Sequence, residues 1–178
     1  MIRMAKSGLK MPRVDQIGIV VKDIEKSMDD FERELGIGPW ALFEGEPVWA
    51  REGDREVTYR GKIALANSGR VQLELIEITE GRSLYRDSMA DREGLHHLGF
   101  FVRDFDRRLE VARDNGVEIL QHAVLKKMGL TIEYAYLDTT GTGGLITEYI
   151  KWSFLGLPFP TRLGPLVRLS SRVARRLG

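Results

Sequence analysis

The chain has 178 residues, 43% hydrophobic and 30% charged, with a net charge of +1; this suits one large domain or two small modules sharing a core and argues against disorder. The absence of Cys excludes disulfides, thiolate metal sites and a Cys nucleophile. No run approaches the ~18 apolar residues of a transmembrane helix, so a cytoplasmic protein is expected.

Residues 1–13 form a basic arm, in which Arg3, Lys6, Lys10 and Arg13 stand without an acid. The arm has no apolar stretch and does not read as a secretory signal. A β-branched strand follows from Asp15 and leads into Asp23, a fair N-cap. The next segment predicts a helix over Ile24–Leu35, closed by Gly36. Trp40 and Trp49 flank a polar loop, Glu44–Pro47, which reads as a lid or pocket wall. Strands are expected over Arg55–Asn67 and Val71–Ile78, turned by Ser68-Gly69-Arg70. Residues 80–93 join this module (14–79) to the next and are expected to hold a short helix.

The second module (94–152) repeats the first. Asp15–Ile24 aligns with His96–Phe105: each is a strand, then a basic residue, an Asp and an apolar residue opening a helix. The second helix is expected over Phe105–Asn115 and ends at Gly116. Strands over Thr131–Asp138 and Leu145–Lys151 follow, joined by Thr139–Gly144. The glycines at 141, 143 and 144 precede a strand rather than a helix, so they read as a turn and not as a phosphate loop. Each half is thus one strand, one helix, then three strands, and the fold class is α+β with two tandem βαβββ modules. His122 reads as a surface residue. Residues 153–178 are a basic tail with five Arg and no acid. Leu157-Pro158-Phe159-Pro160 is a stiff connector to an amphipathic helix expected over Leu166–Leu177. Docking on its own domain or on a dimer mate is favoured for it over membrane-surface contact. Between the two basic ends, 18 basic face 26 acidic residues, so the body does not read as a nucleic-acid binder.

The repeat pairs Gln16 with His97, and Glu74 with Glu148. Each sits mid-strand in a mostly apolar run. Alternation puts Gln72, Glu74 and Ile76 on one face. An inward carboxylate is costly unless paired or metal-bound. His97 and Glu148 are either a satisfied buried pair or ligands, and their matched positions favour ligands. Four O/N donors from four strands would make a hard or borderline divalent site. His96 alternates to the face opposite His97 and reads as structural. Among the aromatics, Trp40, Trp49, Tyr59 and Tyr136 are the candidates for substrate contact, with ordinary core as the alternative.

The paired modules, and above all Gly94-Leu95-His96-His97-Leu98-Gly99-Phe100, resemble the vicinal oxygen chelate superfamily, which includes glyoxalase I, methylmalonyl-CoA epimerase, extradiol dioxygenases and bleomycin-resistance proteins. The resemblance spans about residues 14–152. It implies a metal in a shared cleft, held by Gln16, Glu74, His97 and Glu148. The overall look is similar to methylmalonyl-CoA epimerase; the ligand set Gln, Glu, His, Glu resembles the zinc site of eukaryotic glyoxalase I. It implies a divalent ion (Zn, Co, Ni, Mn or Mg), a homodimer and a small-molecule substrate. The function expected is a metal-dependent isomerase or epimerase that moves a proton next to a polarised carbonyl through an enolate. Glu148 is the first candidate base and Glu74 the second. The alternatives are a non-catalytic protein sequestering a hydrophobic small molecule and, less favoured because Gln16 replaces a His, a ring-cleaving dioxygenase.

Overall fold

The computed structural model describes residues 9–90 and 92–158. Most of the basic arm and the helix expected over Leu166–Leu177 lie outside the described residues. The first half runs β1 (Gln16–Val20), α1 (Ile24–Leu35), β2 (Ala41–Gly45), β3 (Trp49–Glu52), β4 (Arg55–Glu56), β5 (Tyr59–Ser68) and β6 (Val71–Gly81). The expected linker helix is α2 (Leu84–Met89). The second half runs β7 (Gly94–Phe101), α3 (Phe105–Asp114), β8 (Ile119–Lys127), β9 (Leu130–Leu137), β10 (Ile146–Phe154) and β11 (Leu157–Pro158). The class is α+β. Among the described residues no helix is long and apolar enough to cross a membrane.

Local chemistry explains the helix ends. Asp23 accepts from Lys26 N at 2.9 Å, and Glu77 on β6 reaches across to accept from Ile24 N at 3.0 Å. Two amides of the first turn that lack helical partners are thereby satisfied. Gly36 takes the left-handed conformation that ends α1, with φ 65°. Asp104 departs from expectation: its carboxylate binds Arg108 Nε at 2.8 Å and makes no cap.

All strands join one sheet, in the order β2-β5-β6-β1-β7-β10-β9-β8-β3-β4, with β11 beside β10. The centre shows the duplication. β1 runs parallel to β6, β7 parallel to β10, and the two pairs meet antiparallel at β1 and β7. One feature breaks the repeat. The chain expected as a single strand over Arg55–Asn67 divides: Arg55 and Glu56 pair with β3, and β5 begins at Tyr59. β3 itself pairs with β8 of the second half. Hydrophobic alternation marks a strand but not its neighbour, which is why this crossing was illegible. Only residues 46–48 separate β2 at one end of the sheet from β3 near the other. That link spans at most about 14 Å, so the ends of the sheet approach each other. Lys127 Nζ on β8 meets Glu44 O on β2 at 2.9 Å, as this requires.

The curled sheet encloses an inner cluster drawn from both halves, including Leu65, Ile76, Tyr134, Tyr136 and Ile150. Two outer clusters lie under the helices: Ile24 of α1 packs on Ala64 and Leu75, and Phe105, Leu109 and Ala112 of α3 pack on Ala135, Leu137 and Tyr149.

Candidate metal centre

Two rungs of the central strands carry the site. One runs Gln72–Gln16–Gly99–Glu148 across β6, β1, β7 and β10; the other runs Glu74–Gly18–His97–Ile146. Rungs two residues apart share a face. Each contains one Gly beside a ligand candidate. A Cβ on Gly18 would stand 1.9 Å from His97 Cε1, and one on Gly99 would stand 2.8 Å from Gln16 Oε1. Gln16-Ile17-Gly18 and His97-Leu98-Gly99 therefore interlock, each strand's large polar residue occupying the space left by the other strand's Gly.

Glu74, His97 and Glu148 bring ligand atoms within 4.8 Å of one another. His97 Nε2 lies 3.1 Å from Glu148 Oε2 and 3.4 Å from Glu74 Oε2. The contact with Glu148 has ion-pair distance but not hydrogen-bond direction, so both atoms stay buried without a hydrogen-bond partner among the described residues. Gln16 Oε1 is a third such atom; the amide nitrogen of Gln16 donates to Gln72 Oε1 at 2.9 Å. An unsatisfied buried polar atom costs roughly 1–3 kcal/mol. Two of them, His97 Nε2 and Glu148 Oε2, stand with Glu74 in a group that could hold a divalent cation, and the mixed N/O donors suit a borderline or hard ion.

The two carboxylates also set the charge of His97. Burial alone would lower the His97 pKa, but the charge of Glu148 and the contacts to both carboxylates outweigh it and raise it from the ordinary 6.5 to about 9. Burial pushes the Glu148 carboxyl up, and His97 opposes that shift. Without a cation, His97 holds a proton at neutral pH. Burial, then the charge of His97, push His96 down to about 3, so it is neutral.

His96 does not face away from His97. Gly18 pairs with His97 while Ile19 pairs with Leu95, so His96 is an extra residue in β7. This β-bulge puts two consecutive side chains on one face. The two ring centroids are 5.2 Å apart, and Nδ1 of His96 is 3.0 Å from Nδ1 of His97. Strict alternation could not show this.

Of the aromatic candidates, Tyr59 and Tyr136 lie in the inner cluster. The Tyr136 ring is 5.0 Å from that of His97. Tyr136 and Tyr85 bring their hydroxyls to 2.8 Å, and Tyr59 and Tyr134 bring theirs to 2.5 Å. Burial raises all four phenols above their ordinary range, so they stay protonated as donors. Trp40 and Trp49 are elsewhere. Trp40 packs edge-on against Phe31 of α1, 5.8 Å between centroids, in an outer cluster. Trp49 packs at 5.0 Å against His122, which also meets Phe105 of α3. His122 is thus half-buried in mid-strand, with Nε2 3.0 Å from Glu133 Oε1, and is not a free surface residue. Tyr85, Gln72 and Ser88 were not singled out from sequence for a role. Gln72 had one signal, since it precedes Glu74 by two and shares its face.

These features define a duplicated α+β protein with a candidate divalent-ion site at the junction of its two modules. Residues 15–136 match the model of the Glyoxalase/Bleomycin resistance protein/Dioxygenase superfamily, and the chain belongs to that superfamily. No curated protein matches the chain significantly. Among solved structures it is similar to methylmalonyl-CoA epimerase from Mycobacterium tuberculosis (TM-score 0.56, 19% identity, 89% of this chain and 95% of that one). It is also similar to a variant of the Streptomyces coelicolor epimerase in complex with 2-nitronate-propionyl-CoA (TM-score 0.55, 22% identity, 79% and 96% covered). A mutant of 4-hydroxymandelate synthase from Streptomyces coelicolor shares the fold as well (TM-score 0.56, 14% identity, 94% of this chain and 56% of that one). At these identities the likeness establishes the fold.

Proposed function

We propose that the chain is a metal-dependent isomerase or epimerase that moves a proton on the carbon next to a substrate carbonyl. The observation that carries this is the approach of two buried carboxylates, one from each module, to the same His97 nitrogen. Gln16, Glu74, His97 and Glu148 would hold the ion. When bound, a divalent ion supplies Lewis-acid polarisation of the carbonyl, which lowers the cost of forming the enolate. Glu148 on β10 removes the proton. Glu74 on β6, its counterpart in the other module, returns it from the other side or takes the reverse role. A carboxylate cannot be a tight ligand and a base at once, so one of the two detaches during turnover. Tyr136, protonated and beside His97, supplies a hydrogen-bond donor near the developing charge.

The substrate class we favour is an acyl thioester, the type of ligand in the Streptomyces coelicolor complex; a glyoxalase-like isomerisation uses the same groups. The sequestering alternative expects a cleft dominated by Trp and Tyr residues; Trp40 and Trp49 lie on the helical side of the sheet, whereas Tyr59 and Tyr136 lie in the inner cluster.

The test is deuterium wash-in from D₂O with candidate acyl thioesters, alongside elemental analysis. Glu148→Gln keeps size and a ligand oxygen but removes the base. It is expected to retain metal and lose exchange about 10²-fold or more. Normal turnover by metal-loaded Glu148→Gln would reduce Glu148 to a ligand and move the base to Glu74.

A further inference from the structure

The hydrogen bonds behind His97 have a fixed direction and lead to α2. Ser88 Oγ on α2 lies 2.6 Å from Leu84 O, to which it donates. Its proton is committed there, so Ser88 Oγ accepts from His96 Nε2, 3.0 Å away. A neutral imidazole has a single N–H, and His96 Nδ1 is therefore a bare acceptor. That atom lies 3.0 Å from His97 Nδ1, which must donate to it. With Nδ1 so engaged, His97 Nε2, facing Glu74 and Glu148, is the nitrogen that carries the extra proton in the metal-free protein and that would offer its lone pair to a metal in the neutral ring. His96 is 4% and His97 0% exposed, so bulk water does not stand in for these partners. The path exists only because the bulge in β7 turns His96 inward.

We propose that His96 and Ser88 are positioning residues of the metal centre: they hold His97 in the Nδ1–H form with Nε2 presented, and they fasten α2, the link between the modules, to a ligand. This rests on the reading of His97 as a ligand. Tyr85 fastens the same helix a second time, since its ring lies 5.0 Å from His96 and its hydroxyl 2.8 Å from that of Tyr136. Displacing α2 would therefore disturb the ligand, and loss of the ligand's orientation would loosen α2.

The experiment measures Co(II) affinity of the full chain by chelator competition. Ser88→Ala and His96→Phe are expected to weaken binding about 10- to 100-fold, the usual effect of losing a partner behind a ligand. Ser88→Thr keeps the hydroxyl, and His96→Asn puts an amide oxygen near the place of Nδ1; both are expected to stay near wild type. A role in packing alone predicts the reverse order, because Phe preserves the ring against Tyr85 and Tyr136 whereas Asn leaves a gap. Tighter binding by His96→Phe than by His96→Asn would overturn the proposal. If His97→Ala binds Co(II) like wild type, the ligand reading itself fails, and the positioning role falls with it. Nitrogen-15 NMR of the metal-free protein tests the tautomer without any metal: His96 is expected as Nε2–H, and an Nδ1–H form refutes the chain of donors.

Discussion

Gly18→Ala adds one methyl group at the junction of the modules. Gly18 is not among the residues with positive φ, so its backbone would accept an L side chain. The obstacle is the His97 ring: the new Cβ would lie 1.9, 2.3 and 2.4 Å from Cε1, Nε2 and Nδ1. Ordinary carbon contacts need about 3.5 Å or more. The ring must therefore retreat by roughly 1.5 Å, or the strands must part. All three close atoms belong to one rigid ring, so no terminal rotation relieves the clash. Overpacking of this kind costs about 1–3 kcal/mol. Metal–ligand distances tolerate only about 0.2 Å, so the same shift would remove His97 from the proposed ligand set. Urea unfolding and bound-metal stoichiometry should both fall. Gly45→Ala, where a Cβ meets nothing within 4 Å, is the control and should change neither. A Gly18→Ala protein with wild-type stability and full metal would show that His97 does not lie over Gly18.

Other outcomes follow from the same geometry. His97 is held at about 9 against an ordinary 6.5, so in the metal-free protein it contributes stability fully below about 6.5 and loses it as pH rises through 9. The Tm of chelator-treated protein should fall across that window, and Glu148→Gln should flatten the slope; a rise would contradict the assignment. Gln72→Leu frees the Gln16 amide to turn and should weaken Co(II) binding several-fold, read by chelator competition, with little change in fold by circular dichroism. Glu52 accepts from both Leu84 N and Gln121 Nε2 at 2.8 Å, so Glu52→Ala should cost about 1–3 kcal/mol in urea unfolding. Trp40→Phe and Trp49→Phe should lower stability and leave KM unchanged once a substrate is in hand, because both rings lie in the helical layers; a raised KM would return them to the cleft.

The repeat was legible because duplication preserves register. Gln16 and His97, Gly18 and Gly99, and Glu74 and Glu148 fall at matched positions, and the central four strands bring them onto two adjoining rungs. Helix ends were legible where Asp23 and Gly36 act through local backbone chemistry. Long-range choices were not. Nothing in Trp49–Glu52 announces that its partner is β8, since strand propensity describes a pleated surface rather than a neighbour. The Trp residues were misplaced for a related reason: flanking a polar loop says nothing about which side of a curled sheet a ring will take. The bulge at His96 follows from pairing two strands of unequal count, which only the folded ladder defines.

Duplication also explains the proposed ligands better than it explains their supports. Gln16 and His97 each carry an N–H as well as a lone pair, and either group could present the wrong end. Gln72 takes the amide proton of Gln16 from the neighbouring strand, whereas the counterpart of Gln72 in the other module is the apolar Ile146. His97 is instead served by His96 within its own strand, and β1 has no such bulge opposite β6. Two unrelated devices thus reach one end: Gln72 takes one amide N–H of Gln16, and His96 takes the Nδ1–H of His97. The carboxylates bring no proton when ionised. In the proposed centre, the ion would meet a set of lone pairs carrying two negative charges. Metal-free, a proton on His97 neutralises half of that charge; a divalent ion bound there would match all of it.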